Sequence, residues 1–158
     1  MNKPHGKNLR IGRYSQPGYA YLVTAVTWQR QPFFRDWRLG RLLSAEMKYA
    51  EDSGLIDSLA WVIMPDHLHW LFMLKNGKLE TTLRQVKSRS AIAINQQLGT
   101  HQTIWQKGYH DHALRKEEDV QEIARYIVAN PLRSGLAEHA GITRYGMPYG
   151  CRSGLARD

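Results

Sequence analysis

The chain has 158 residues, of which 42% are hydrophobic, as is typical of one compact domain with a hydrophobic core. Its single cysteine, Cys151, excludes an internal disulfide framework and a zinc site made from several thiolates. The 22 Lys and Arg outnumber the 14 Asp and Glu and give a net charge of +8. This excess attracts polyanions and favours nucleic acid as a partner, with a merely basic protein as the alternative.

The apolar runs and the N-terminus indicate a cytoplasmic, nucleoid-associated protein without membrane contact. The longest apolar runs lie between Leu59 and Leu74, and the polar residues Asp66, His67 and His69 interrupt them. They therefore fall short of the ~20 apolar residues that span a bilayer. The N-terminal segment has no apolar stretch after its basic residues, unlike a secretory signal.

The first predicted elements are a strand and a helix. The strand starts at Tyr19 after a Pro-Gly turn, is rich in aromatic and β-branched residues, and extends to about Gln29. The helix follows because apolar residues recur at the spacing of one helical face and Gly54 provides a stop. These apolar residues are Leu39, Leu42, Leu43, Met47 and Ala50.

A hairpin and a second helix come next. Two apolar runs meet at Pro65 and Asp66, a turn pair that predicts adjacent antiparallel strands. From Leu79 to Leu98, apolar residues repeat at near-helical spacing, which predicts a helix with a basic face.

The remaining predicted elements are a fourth strand and a third helix. The strand covers residues 104–115. The helix starts with acidic residues in its first turn, and Pro131 is expected to end it.

This order of elements predicts an α+β fold of the split βαβ, ferredoxin-like type: an antiparallel four-stranded sheet with helices packed on it. We expect the helices on one face, which leaves the other face for function. The whole chain, 1–158, is interpreted as one catalytic domain. Its core covers about residues 13–136, between a basic arm at 1–12 and a tail at about 137–158.

His67 and His69 are the first candidate site. Residues i and i+2 of a strand project from the same face about 7 Å apart, so two imidazoles can share one metal ion. The alternative is one histidine in the core and one in solvent, but burying polar rings without partners costs roughly 1–3 kcal/mol each. His110 and His112 have the same spacing, and a solvated or substrate-facing role fits them equally well.

Tyr126 and Asn130 lie one turn apart on the third predicted helix, whose apolar face ends near Tyr126. Taken alone, the helix permits a simpler interpretation. Tyr126 would be a half-buried amphipathic side chain, and Asn130 would end the helix before the proline.

Three sequence blocks resemble a known family. "VIMPDHLHWLF", "IWQKGYHDHALR" and "ARYIVANPLRSGL" occur in the order of the signature blocks of the REP-associated tyrosine transposases. These proteins are single-domain relatives of the insertion-sequence transposases. The N-terminal "RYSQPGYAYLVTAVTWQRQPFF" resembles the first strand of that family, so the resemblance extends from about Arg13 to Leu136.

The resemblance implies a site and a reaction. His67 and His69 would hold Mg²⁺ or Mn²⁺, and Tyr126 would attack single-stranded DNA to form a 5'-phosphotyrosyl intermediate. Asn130 would take the place of the third metal ligand, which is glutamine in the insertion-sequence relatives. The implied substrate is the hairpin of repetitive extragenic palindromes (REP), cut and rejoined by a monomer, with a dimer as the alternative.

The expected DNA-binding surface combines basic and aromatic residues. Basic residues of the second helix and the N-terminal arm would contact phosphates, while aromatic residues near the fourth strand would stack on unpaired bases. The candidates are Lys7, Arg10, Arg13, Arg84, Lys87, Arg89, Trp105, Tyr109 and His112. Two other functions remain open: a catalytically silent hairpin-DNA-binding protein and a metal-dependent phosphodiesterase that uses water.

Overall fold

The structure is a computed structural model that describes residues 15–114, 117–134 and 140–142. Its helices are α1 Trp37–Asp52, α2 Leu79–Leu98 and α3 Glu117–Ser134. Its strands are β1 Ala20–Val26, β2 Ile56–Met64, β3 His67–Leu74, β4 His110–Leu114 and β5 Ala140–Ile142. In α3, side chains are described for residues 119–127 and 129. No helix in these ranges is long and apolar enough to cross a membrane.

One antiparallel sheet contains all the described strands in the order β4-β1-β3-β2-β5. Strands β1 to β4, with α1 and α2 as crossovers, have the predicted split βαβ order, so the α+β fold class is confirmed. The short strand β5 pairs with β2 along Ala60–Val62. It lies in the segment that the sequence assigned to the tail.

The β2–β3 hairpin forms the centre of the sheet, as predicted. Its strands are joined at Pro65 and Asp66, and Val62 pairs with His69. Strand β3 is also paired with β1 on its other side. Along the first half of β3, partly buried side chains alternate with fully buried ones, because successive side chains of a strand point to opposite faces of the sheet.

The helices cover both faces of the sheet, which corrects the prediction of a single covered face. Helices α1 and α2 pack together over one apolar cluster, which includes Leu68, Trp70 and Phe72 of β3. Helix α3 packs on a second cluster with Leu71 of β3 and residues of β2. Successive side chains of a strand point to opposite faces, so both faces of a central strand can be apolar.

Three element ends differ from the sequence prediction. Strand β1 ends at Val26 instead of Gln29, because the chain turns into a short 3-10 segment, Trp28–Arg30. Strand β4 is limited to His110–Leu114. Helix α3 continues through Pro131 to Ser134, although a proline inside a helix removes one backbone hydrogen bond and crowds the carbonyl four residues earlier.

Candidate active site

His67 and His69 lie side by side on the sheet. Their ring centroids are 4.7 Å apart and the ring planes meet at 76°. Both rings project from the face opposite to Leu68 and Trp70, as the alternation of a strand requires. The sequence prediction that the two imidazoles share one face is therefore confirmed by the geometry.

Asp66 holds the ring of His67. Oδ1 of Asp66 lies 2.7 Å from Nδ1 of His67, and its Oδ2 accepts a hydrogen bond from Nη1 of Arg30 at 3.2 Å. Burial disfavours the carboxylate, but the hydrogen bonds from His67 and Arg30 outweigh it and hold the pKa of Asp66 below its ordinary value. Asp66 therefore acts as an ionised acceptor for both neighbours.

Thr24 of β1 holds the ring of His69. Its Oγ1 lies 2.8 Å from Nδ1 of His69, and the two residues pair directly in the sheet. Burial, together with the neighbouring His67, lowers the pKa of His69 to about 4. At neutral pH the ring of His69 is therefore uncharged, which is the form that binds metal ions.

Helix α3 packs on the sheet face that carries the histidines. Its buried residues Ala124 and Ile127 share an apolar cluster with Val62 and Met64 of β2. Val62 and Met64 are the direct partners of His69 and His67 in the sheet, and paired residues project to the same side. The helix with the candidate nucleophile therefore lies over β2, the strand next to the histidine pair.

Tyr126 precedes the buried Ile127 on α3. The residue is 55% exposed, so Tyr126 lies at the surface of the protein. Asn130 falls within the same helix, but its side chain lies outside the described residues. The structure thus places the helix of Tyr126 on the histidine face. The role of Asn130 as a metal ligand stays a prediction.

The histidine pair supplies part of the ligand set that a divalent cation needs. Nδ1 of each ring is already hydrogen-bonded, so Nε2 is the nitrogen that each ring can offer. Among the residues that the structure describes, no cluster of three His, Cys, Asp or Glu side chains could hold a metal ion. Two imidazoles match the usual ligands of divalent transition metals, and further ligands would have to be amide, water or substrate oxygens.

The second histidine pair faces the same side of the sheet. His110 pairs with Thr24, and His112 pairs with Leu22, on strand β1. Both histidines are exposed, in contrast to the half-buried His69. Since Thr24 also contacts His69, one row across three strands runs from His69 through Thr24 to His110. This agrees with the solvated or substrate-facing position that the sequence allowed.

The three basic candidates of α2 differ in what they contact. Arg84 is 71% exposed and pairs only weakly with Glu80, one turn away. Nζ of Lys87 donates to two carbonyls of the loop before β4, those of Gln106 and Gly108, at 2.6 Å each. Of these two, Arg84 has the side chain that is more available to a phosphate.

Arg89 joins α2 to α1. Its Nε donates to Oε2 of Glu46 at 2.6 Å, and its guanidinium lies 4.3 Å from the centroid of the Tyr49 ring. The hydrogen bond that Arg89 donates to Glu46 raises the pKa of Arg89. Arg89 thus has a structural partner on the face away from the histidines, which the sequence did not indicate.

Trp105 does not lie at the surface. Its ring is 7% exposed, and its Nε1 donates to Oγ of Ser90 at 3.0 Å. The ring also packs against Phe34, with a centroid distance of 5.5 Å. Stacking of a base on Trp105 would require this packing to open, so its predicted DNA role conflicts with its burial.

The other candidates have varied positions. Tyr109 is half-buried and packs against the same cluster as Trp105. Trp28, in contrast to Trp105, is 41% exposed. The arm residues Lys7, Arg10 and Arg13 lie outside the described part of the chain.

Sequence reasoning missed three residues of the site: Thr24, Arg30 and Asp66. Asp66 directly precedes His67, so its position in the sequence was a usable signal. Thr24 and Arg30 are 45 and 36 residues away from their partners in the chain, and no local pattern marks them.

The profile of one sequence family, described as "Transposase IS200 like", matches residues 15–130. A REP-associated tyrosine transposase of Escherichia coli K12 is 30% identical over 78 residues, which cover 48% of this chain and 44% of that protein. The chain thus matches less than half of the length of this relative. A Haemophilus influenzae Rd protein, provisionally described as a REP-associated tyrosine transposase, is 27% identical over 132 residues, 77% of this chain and 74% of that protein.

A solved structure has the same fold. It is a REP-associated tyrosine transposase bound to a REP hairpin, and it matches with a TM-score of 0.64 at 22% identity. The match covers 86% of this chain and 76% of that chain. The family profile covers more than half of the sequence, and the resemblance inferred from the three sequence blocks is confirmed: the chain belongs to the family of IS200-like transposases.

Proposed function

We propose that this protein is a single-domain, metal-dependent tyrosine transposase that cuts and rejoins single-stranded DNA at REP hairpins. One observation carries the proposal: the ring centroids of His67 and His69 lie 4.7 Å apart, on the sheet face over which the helix of Tyr126 packs. Membership of the transposase family supports DNA cleavage and rejoining as the type of reaction.

The cation site would use Nε2 of His67 and of His69, with Asn130 as the third protein ligand implied by the resemblance. Both Nδ1 atoms are held by neighbours, which leaves the two Nε2 atoms available, and the two rings lie on one face of the sheet. When bound, Mg²⁺ or Mn²⁺ supplies Lewis-acid polarisation of the scissile phosphate, worth several kcal/mol. A phenol needs this help because it is almost fully protonated at neutral pH.

The reaction proposed for Tyr126 is a reversible phosphoryl transfer. Its phenolic oxygen forms a bond to phosphorus while the bond from phosphorus to the 3'-oxygen breaks. The phenol proton is lost, and the 3'-oxygen gains a proton to become a hydroxyl. The product is a 5'-phosphotyrosyl enzyme, and because one phosphodiester replaces another, rejoining needs no nucleotide cofactor.

The proposed substrate is the hairpin of a REP element with an adjoining single strand. A relative with the same fold binds a REP hairpin, and the net charge of +8 favours a polyanion. A chromosomal substrate would place the protein at the nucleoid in the cytoplasm. A monomer is the proposed active form, with a dimer as the alternative.

The decisive experiment is a denaturing gel after incubation of the protein with labelled single-stranded hairpin DNA and Mn²⁺. The wild-type protein should give a slowly migrating covalent adduct. Tyr126→Phe removes the nucleophile and His67→Ala removes a metal ligand, so both should abolish the adduct. Matched controls are Tyr19→Phe, which alters a tyrosine of similar exposure (43%), and His101→Ala, which alters an exposed histidine. Both controls should retain the adduct.

The other outcomes identify the two alternative functions. Cleavage that survives in Tyr126→Phe would indicate a phosphodiesterase that uses water as the nucleophile. Tight hairpin binding by the wild-type protein with no cleavage in Mn²⁺ or Mg²⁺ would indicate a catalytically silent DNA-binding protein. Either outcome overturns the proposed tyrosine chemistry.

A further inference from the structure

The turn that precedes His67 is held from two sides. The backbone N–H of Thr27 donates to the carbonyl of Asp66 at 2.9 Å, and the Thr27 hydroxyl, which shares its one proton between two carbonyls, lies 3.0 Å from Asp66 O and 2.8 Å from Gln31 O. The backbone N–H of Phe34 donates to the carbonyl of Pro65 at 3.0 Å. Thr27 is fully buried, so the backbone of Asp66 is anchored to the interior and not to a mobile surface.

The chain after Thr27 adopts an uncommon conformation. Gln29 and Arg30 have φ angles of 52° and 51°, in the left-handed region that non-glycine residues rarely adopt. Such residues are strained and persist only where the surrounding structure holds them, often at functional sites. Here the result is that the Arg30 guanidinium reaches Oδ2 of Asp66 at 3.2 Å.

The contact between Asp66 and His67 determines which nitrogen of His67 is free. Oδ1 of Asp66 lies 2.7 Å from Nδ1 of His67. An ionised carboxylate only accepts hydrogen bonds, so the hydrogen in this contact belongs to Nδ1. In a neutral ring with a proton on Nδ1, the lone pair is on Nε2.

We infer that Asp66, held by the Thr27–Arg30 corner, is a positioning residue that fixes His67 in the tautomer with its lone pair on Nε2. A carboxylate behind a ligating imidazole orients the ring and raises its basicity, and its loss typically weakens metal binding 10–100-fold. Arg30 acts through Asp66, because its hydrogen bond to Oδ2 keeps Oδ1 of Asp66 directed at the ring. The inference rests on the proposed function, in which His67 offers Nε2 to a divalent cation.

The first test is the tautomer of His67 in the metal-free, DNA-free protein, measured by long-range ¹H–¹⁵N NMR correlation. The wild-type ring should carry its proton on Nδ1. Asp66→Ala should transfer population to the Nε2-protonated tautomer. Asp66→Asn should preserve the wild-type tautomer, because an amide oxygen can still accept from Nδ1. A wild-type ring protonated on Nε2 would overturn the inference.

The second test is a Mn²⁺ titration of the same proteins followed by electron paramagnetic resonance. Asp66→Ala should weaken Mn²⁺ binding about 10–100-fold, and Arg30→Ala should weaken it less. Matched controls are Asp52→Ala and Arg38→Ala, which break exposed ion pairs with Lys48 and Asp36 at 3.2 and 2.9 Å. An effect of Asp66→Ala no larger than that of Asp52→Ala would overturn the inference.

The two proposals can fail separately. If the DNA adduct does not form but the tautomer changes as described, the proposed function fails and the positioning role of Asp66 is supported. If the adduct forms but the tautomer of His67 is insensitive to Asp66→Ala, the positioning role fails alone. Thermal unfolding of each variant separates both results from a general loss of structure, and Asp66→Asn provides the shape-preserving variant if Asp66→Ala does not fold.

Discussion

Oγ1 of Thr24 and Nδ1 of His69 lie 2.8 Å apart, which joins β1 to the central strand β3 through side chains as well as backbone. The contact fixes the ring of a histidine whose pKa is lowered to about 4 by burial and by His67. His67 has Asp66 in the equivalent position. The two neighbouring imidazoles are therefore oriented by different partners, one from another strand and one from the preceding turn.

The lowered pKa of His69 predicts a pH-dependent stability of the metal-free protein. The pKa is 6.5 for an ordinary histidine and about 4 for His69 in the folded state. Between these values the unfolded chain binds more protons, so the free energy of unfolding should decrease as the pH falls from about 6.5 to about 4. The contribution is about 2 kcal/mol after allowance for solvent screening of a partly exposed ring.

Urea denaturation at several pH values checks this prediction by comparing the wild-type protein with His69→Gln. The variant lacks the titrating ring and should lose less stability over the same pH interval. His101→Gln, which changes an exposed histidine, should behave like the wild-type protein. Equal pH dependence in all three proteins would contradict the assigned environment of His69.

Trp105 is expected to contribute to stability and not to DNA contact. Its ring is buried against Phe34 and hydrogen-bonded to Ser90, so Trp105→Ala should lower the free energy of unfolding by about 3–5 kcal/mol. Thermal denaturation measures the loss, and hairpin binding of the folded fraction should be nearly unchanged. Trp28→Ala is the comparison, because its exposed ring predicts a stability change below about 1 kcal/mol.

Lys87 is expected to hold the loop before β4. Its ammonium donates to the carbonyls of Gln106 and Gly108 at 2.6 Å. Lys87→Met keeps most of the aliphatic side chain but removes these charge-assisted bonds, which should cost about 2 kcal/mol in chemical denaturation. Lys48→Met, which breaks only an exposed pair with Asp52, should cost less than about 1 kcal/mol. Similar losses in the two variants would argue against a loop-holding role.

Arg84 is expected to contact DNA phosphates if α2 takes part in binding. Its side chain is 71% exposed and forms an exposed ion pair with Glu80, four residues earlier. Arg84→Ala should weaken hairpin binding and reduce the slope of log K against log salt by about 0.7–0.9, the value for one phosphate contact. Fluorescence anisotropy titrations at salt concentrations from about 50 to about 200 mM measure this slope. An unchanged slope would remove Arg84 from the binding surface.

Local sequence patterns were sufficient to predict the main elements and the shared face of the histidine pair. Alternation along a strand depends only on backbone geometry, so His67 and His69 had to project to one side once β3 was a strand. The hairpin at Pro65 and the helix that ends near Gly54 followed from turn and periodicity signals of the same local kind.

The ends of elements were less predictable, because they depend on distant contacts. Strand β1 stops at Val26, where Thr27 turns to donate to Asp66, 39 residues away. Helix α3 passes through Pro131 although proline is a common helix stop. The end of β1 therefore coincides with a long-range contact, whereas the local proline signal did not end α3.

The sequence by itself determined the fold class, the order of the strands along the chain and the two histidines on one face, because these follow from local periodicity. Only the tertiary structure decided that α3 covers the histidine face, that Trp105 is buried, and that Thr24 and Arg30 belong to the site. The physical reason is that strand pairing and side-chain packing bring together residues far apart in the chain. A single sequence has no local pattern that records such long-range contacts.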